Sequence, residues 1–244
     1  MRSRWGRRPA AAAAGLLAVT AIGLSAATAD GPRTRVFGHS VKDRPLTVRH
    51  GGLEAAPIRV LAVGVIHGNE TAGQPVIQRL RQHPPTQLEL RTVGEINPDG
   101  DAAATRQNAH GVDLNRNFPA GWRREGSPWS TYYSGPRPAS EPETRAAMRL
   151  IKRFRPDVTV WYHQALNMVV DAPGTDDRVL RRYADVANMR VDGLPRLHGN
   201  VTRWQNHRFA NGSAFVVELP AGRLSSRAVR RHAEAVLAAG RAAE

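Results

Sequence analysis

His67-Gly68-Asn69-Glu70 places a histidine and a glutamate three positions apart, directly after the apolar run Ile58 to Ile66. Across a strand-to-helix turn that spacing lets both side chains point at one metal ion, and Gly68 permits the turn to be tight. The same spacing also arises by chance in loops, with a solvated Glu and no metal. His163 adds to the pattern, because it stands at the carboxyl end of Val158 to Tyr162, which reads as another buried strand and where an imidazole is not needed for packing. Two histidines and one glutamate form a ligand set used by catalytic zinc sites. The chain has no cysteine, so a metal site here must be built from His, Asp and Glu.

Glu218 follows Phe215-Val216-Val217, where a carboxylate is costly unless paired or put to use. Beside a bound metal it could take a proton from an attacking water and pass it to a leaving amine. The structural alternative is a salt bridge to one of the many arginines. In Gly111 to Pro119, Arg116 offers a planar fork suited to a substrate carboxylate, with Asn115 a neutral donor beside it. Asp113 could accept the second ring N–H of a ligand histidine and so fix its tautomer.

Positioning these residues requires a frame, and its parts are legible. Val36 to Val48 reads as a hairpin with Lys42-Asp43-Arg44 near its turn. Ile58 to Ile66 has the β-branched, continuous pattern of a strand buried on both faces. Thr71 to Arg81 reads as a helix stopped by Pro84-Pro85. Leu88 to Ile96 reads as a strand that ends in the turn Asn97-Pro98-Asp99-Gly100. From Asp101 to Ala139 periodicity is lost, and a stretch that long inside a domain is usually functional.

Ser140 to Glu143 reads as a helix start, with Ser140 as cap, Pro142 in the first turn and Glu143 completing a capping box. Asp176 to Met189 and Ser225 to Ala243 read as helices, and Ala214 to Leu219 as a strand. The alternation implies an α/β fold: a mixed, largely parallel central sheet with helices on both faces. In such folds chemistry gathers beyond the carboxyl ends of strands, where His67, Asn97, His163 and Glu218 all fall.

Taken in order, His67-Gly68-Asn69-Glu70, Asn97-Pro98-Asp99-Gly100, Asp113 to Asn117, His163 and Glu218 resemble zinc carboxypeptidases of the carboxypeptidase A type. Gly111 to Pro119, Ser140 to Arg145, Trp161-Tyr162-His163-Gln164 and Val217-Glu218-Leu219-Pro220 are similar to the compact bacterial branch that includes murein peptide amidases. The resemblance covers roughly Val36 to Gly222. It implies one zinc ion on His67, Glu70 and His163, and Glu218 as general base and then general acid. It further implies that Asn115 and Arg116 hold a free substrate carboxylate, that Asp113 orients His67, and that Arg106 stabilises the oxyanion of the tetrahedral intermediate. One departure stands out. Such enzymes often carry a mobile tyrosine between the last zinc ligand and the catalytic Glu, yet Leu194 to Leu219 contains none and Tyr183 falls on a predicted helix. Another group must close the site, or the loop differs.

The 244 residues are 41% hydrophobic and 23% charged, ordinary for a globular protein with one sizeable core. Arg2, Arg4, Arg7 and Arg8 precede the apolar stretch Ala10 to Ala27, and Ala27-Thr28-Ala29 has a small–x–small cleavage pattern. Residues 1–29 therefore read as a signal peptide and 30–244 as a catalytic domain, exported to the envelope or beyond. An uncleaved anchor is the alternative; after cleavage no stable membrane association is expected. The stretch ahead of Val36 is too short for the large inhibitory pro-domain of digestive relatives, so activity without a zymogen step is expected.

The net charge of +14 falls to +10 once the four leader arginines are set aside. The remaining arginines are scattered, which suits attraction to an anionic envelope, or simply a solvated surface, and no nucleic-acid partner is expected.

In the fold that the resemblance implies, the segment before the catalytic Glu shapes the pocket for the terminal residue. Here it is His198 to Trp204, polar and basic, with Arg203 either a specificity residue or a surface arginine. Such a pocket suits a diaminopimelate residue, and thus a peptide substrate cleaved at the γ-D-glutamyl–diaminopimelate bond of cell-wall peptides. The rival readings are a broad-specificity exported carboxypeptidase, an N-acyl amino acid deacylase of the aspartoacylase or succinylglutamate desuccinylase type, and an inactive wall-binding module.

Overall fold

The apolar run after Ile58 forms the centre of the sheet in a computed structural model that describes Met1 and residues 33–195 and 197–244. Apart from Met1, the expected signal peptide lies outside the described residues. An antiparallel hairpin, β1 (Thr34–His39) and β2 (Pro45–Gly52), opens the fold. β2 pairs antiparallel with β4 (Glu89–Val93), and β4 pairs parallel with β3 (Arg59–Val63). β3 pairs parallel with β5 (Val158–Val170), which also carries β6 (Arg190–Asp192) and β7 (Ser213–Pro220).

Side chains of β3 alternate between two cores, as strand geometry requires. Val60 and Ala62 pack with α1 (Gln74–Gln82), α4 (Asp177–Ala187) and α6 (Ser226–Ala242). Leu61 and Val63 pack with α3 (Pro142–Phe154) and α5 (Val201–Arg208). Helices thus cover both faces of a mixed, largely parallel sheet, as the alternation of elements predicts. Among the described residues no helix is long and apolar enough to cross a membrane.

Three local expectations give way to other arrangements. First, β5 does not end at Tyr162. Its register rises along β7 from Val158↔Ser213 to Gln164↔Leu219, then descends through Met168↔Glu218, Val169↔Val217 and Val170↔Val216. The chain turns over residues 164–167, with a cis peptide between Gln164 and Ala165, and its two arms flank β7. That turn has neither Gly nor Pro; Asn167 takes the left-handed conformation, φ 51°, that Asn tolerates.

Second, Asn97 to Gly100 begins a short helix, α2 (Pro98–Ala103), rather than a turn. The Asn97 side chain accepts from the Gly100 N–H at 2.9 Å, and Pro98 takes the first position, where no N–H is needed. Third, the capping box at Ser140 does not form. Ser140 Oγ donates to Glu141, while Glu143 accepts from the Val41 N–H and from Asn108 Nδ2. Amides of two other segments claim the carboxylate that the local motif would have used.

A buried polar chain joins the sheet to two helices: Tyr162 Oη lies 3.1 Å from Tyr183 Oη, which lies 2.8 Å from His232 Nδ1. Burial, with Arg231 adding to it, pulls the pKa of His232 down from 6.5 to about 4. A base lowered in this way stabilises the fold above its unfolded pKa, and the contribution is lost as pH falls from 6.5 towards 4. The loss expected is on the order of 3 kcal/mol. Urea unfolding at pH 7 and pH 4.5 measures it, and a His232→Gln variant should show a clearly smaller drop between those two values.

Candidate active site

The loop after β3 carries His67 and Glu70 into the 3-10 turn Thr71–Gly73 that precedes α1. It is closed by the Glu70 N–H donating to the His67 carbonyl at 3.0 Å. Gly68 is required by crowding: a Cβ there would sit 1.9 Å from the Gly100 carbonyl carbon, where the loop crosses α2. His163 lies on the first arm of β5, just before the chain turns.

These elements bring the two imidazoles edge to face, with ring centroids 4.7 Å apart. Glu70 Oε2 lies 2.9 Å from His67 Nδ1 and 3.0 Å from His163 Nδ1. His67 Nδ1 is buried yet makes no hydrogen bond, so its short approach to Glu70 is out of line for one. A nitrogen lone pair and a carboxylate oxygen meeting in this way suit a cation between them. Zinc ligands at about 2.0–2.1 Å in a tetrahedron stand about 3.4 Å apart, close to the spacing here. The three residues therefore fit one zinc ion, and among the described residues they are the only such cluster.

The groups behind them fix their orientation. His67 Nε2 lies 3.0 Å from Asp113 Oδ1, which leaves Nδ1 as the ligand atom. Asp113, fully buried, also accepts from Arg106 Nε at 3.1 Å, from Arg106 Nη2 at 2.9 Å and from the Asn115 N–H at 2.9 Å. Burial opposes charge on Asp113, but His67, Arg106 and Arg116 outweigh it and hold its pKa well below the usual carboxylate range. Burial likewise opposes charge on Glu70, and the two histidines overcome it. Arg106 Nη1 donates to Glu70 Oε1 at 3.0 Å, so this guanidinium ties a metal ligand to the carboxylate behind the other.

Asn115 Oδ1 accepts from the Val201 N–H at 3.0 Å, which docks the start of α5 and turns the amide nitrogen to within 3.4 Å of His163 Nε2. Arg116 is buried, with Nη1 donating to the Asn115 carbonyl at 2.8 Å. The ring of Tyr132 lies beside both guanidinium groups, 4.8 Å from Arg116 Cζ and 5.8 Å from Arg106 Cζ. The aromatic group at this end thus comes from the irregular segment Asp101 to Ala139, a residue that sequence reading did not single out.

Glu218 stands across from His163 in the sheet, is 8% exposed, and has its Oε2 buried without a hydrogen bond. Burial raises its pKa; His163 opposes this and Glu70 adds to it. Among the described residues no arginine forms a salt bridge with it.

His67, Glu70, Arg106, Asn115, Arg116, His163 and Glu218 line one cleft of about 450 Å³, with Asp113 behind it. A larger groove of about 790 Å³ lies between α1, α6 and β2 and contains none of these residues. The smaller cleft is the better candidate because it holds the metal ligands and the unpaired carboxylate together.

A family model described as zinc carboxypeptidase matches residues 89–218. The chain belongs to the zinc carboxypeptidase family. His163 and Glu218 fall within the match; His67 and Glu70 precede it and rest on the geometry. The murein peptide amidase A of Escherichia coli K12 is 33% identical over 152 residues, covering 57% of this chain and 62% of its own length. Mouse carboxypeptidase Z is 32% identical over 222 residues, covering 66% of this chain and 34% of its own length.

The solved murein-tripeptide amidase of E. coli O157 aligns with a TM-score of 0.67 and 26% identity over 83% of this chain and 89% of that one. Carboxypeptidase A of Helicoverpa armigera aligns with a TM-score of 0.75 at 18% identity, over 87% of this chain and 68% of that one, a likeness of fold.

In a zinc carboxypeptidase, loss of a group that orients a ligand histidine weakens metal binding. Asp113→Asn should lower zinc affinity about 10–100-fold, measured by competition with a chromogenic chelator. An unchanged affinity would show that His67 needs no partner to hold its tautomer.

Proposed function

We propose that this chain is an exported zinc-dependent peptide hydrolase that removes a terminal residue bearing a free carboxylate, with the γ-D-glutamyl–diaminopimelate bond of cell-wall peptides as its substrate. The observation that carries the reaction is the single cleft that holds the metal ligands, an unpaired Glu218 and the Arg116 fork together. The choice of substrate is supported by the murein peptide amidases among the relatives.

His67, Glu70 and His163 would hold a zinc ion, which would supply Lewis-acid polarisation of the scissile carbonyl. Arg116 and Asn115 supply N–H donors to the free carboxylate and so fix which bond faces Glu218. Glu218 takes a proton from the attacking water as the C–O bond forms. It then delivers that proton to the leaving amine as the C–N bond breaks. Arg106 donates to the carbonyl oxygen as it gains charge, a contribution of about 2.7–4 kcal/mol for a donor of this kind. Asp113 keeps both His67 and Arg106 in place.

Incubating the purified zinc-loaded protein with murein tripeptide should release diaminopimelate. Release from ordinary C-terminal peptides alone would instead support a broad-specificity carboxypeptidase, and cleavage of small acyl amino acids alone a deacylase. Arg116→Ala should raise KM about 10–100-fold for free-acid peptides, as expected for a lost charge-assisted hydrogen bond. It should also erase the preference for a free acid over the C-terminal amide; a preserved preference would move the carboxylate site elsewhere.

A further inference from the structure

Beyond the metal, the cleft is walled by Val170 on the return arm of β5 and Val216 on β7, which face each other in register. Two charged residues line the same space: Asp171, directly after that arm, and Arg203, in the first turn of α5. Each is anchored through its backbone. The Asp171 N–H donates to the Asp192 carbonyl at 2.9 Å, and the Arg203 N–H donates to Asn200 Oδ1 at 2.8 Å. The Arg203 guanidinium rests against Gly121, where an added Cβ would lie 2.7 Å from its Cζ.

Among the described residues neither the Asp171 carboxylate nor the Arg203 guanidinium has a hydrogen-bonding or ionic partner, and they do not pair with each other. Opposite charges that share a cleft yet stay unpaired leave room for a ligand with two opposite charges of its own. Val170, Val216 and Thr202 between them suit an aliphatic stem.

We propose that Asp171 and Arg203 are the specificity residues of the cleft, selecting a terminal residue whose side chain ends in both an ammonium and a carboxylate. Asp171 takes the ammonium and Arg203 the carboxylate, while Val170 and Val216 enclose the methylenes. This rests on the reading that the cleft takes a terminal residue with a free α-carboxylate, which Arg116 holds.

The test uses four peptides of common sequence, ending in diaminopimelate, lysine (ammonium only), 2-aminopimelate (second carboxylate only) or leucine. The zinc-loaded wild type, Asp171→Asn, Arg203→Met and Arg203→Lys are compared by kcat/KM, with zinc content and Tm as controls. The wild type should favour diaminopimelate over each of the other three by about tenfold or more. Arg203→Met should collapse the preference over lysine, with Arg203→Lys restoring part of it. Asp171→Asn should collapse the preference over 2-aminopimelate.

These selectivity ratios are not moved by a merely structural role, which would slow all four peptides together. If the wild type cleaves the diaminopimelate peptide and both ratios survive the substitutions, the specificity assignment is wrong and the carboxypeptidase reading stands. If the wild type cleaves none of the four, the reading of the cleft fails and the assignment fails with it.

Discussion

Glu218→Gln is expected to lower kcat about 10²–10⁴-fold, with KM, zinc content and Tm close to those of the wild type. The substitution keeps the shape of the side chain and removes only its ability to accept and return a proton. Its setting makes the inference sharp: Oε2 is buried without a hydrogen bond, no arginine among the described residues pairs with it, and the residue stands beside His163 in the sheet. A carboxylate left in that state by the fold costs stability unless it is used. A Glu218→Gln protein should therefore be at least as stable as the wild type. Steady-state kinetics with thermal unfolding on the same samples decide the matter. Full activity in the variant would move the general base elsewhere, whereas a zinc-loaded wild type without hydrolysis would revive the reading of an inactive binding module.

Removal of the metal should have an effect of similar size. Dialysis against a chelator is expected to abolish hydrolysis, and stoichiometric zinc to restore it. His163→Ala should lose both zinc and activity, because it leaves only His67 and Glu70 in a site that needs three protein ligands. Zinc binds the folded cluster, so it should also raise the unfolding free energy, by about 4 kcal/mol at a thousandfold excess over Kd. In the metal-free protein Glu70 still accepts from Arg106 and lies within hydrogen-bond distance of His163 Nδ1, so the fold should survive chelation at a lower Tm. Persistent activity in protein shown by elemental analysis to be metal-free would overturn the assignment of the cluster.

Much of this protein is legible in its local patterns. Ile58 to Ile66 announces a strand buried on both faces, and its alternate residues do enter two separate cores. Ligand chemistry is equally plain: without cysteine, His67, Glu70 and His163 are the residue types from which such a centre is made. Asp113 behind His67 also follows from the donors and acceptors that neighbouring residues need.

Other features depend on pairings that no local pattern carries. The β5 turn at Gln164 to Asn167 has neither Gly nor Pro to mark it, and it is stabilised by β7 lying between the two arms. Only that return places Asp171 in the cleft. Glu143 was readable as a local cap, but Val41 and Asn108, 102 and 35 residues away, claim it instead. The family resemblance implies Arg106 as an oxyanion donor; its bridge from Glu70 to Asp113 exists only because loops after different strands converge.

The sequence by itself determined which segments are buried and which residue types could bind a metal, because hydrophobic period and side-chain chemistry are local properties. Tertiary structure alone decided which lone pairs face one another and which charges stay unpaired. Those depend on distances between residues as far apart in the chain as Glu70 and His163, and packing, not periodicity, sets such distances.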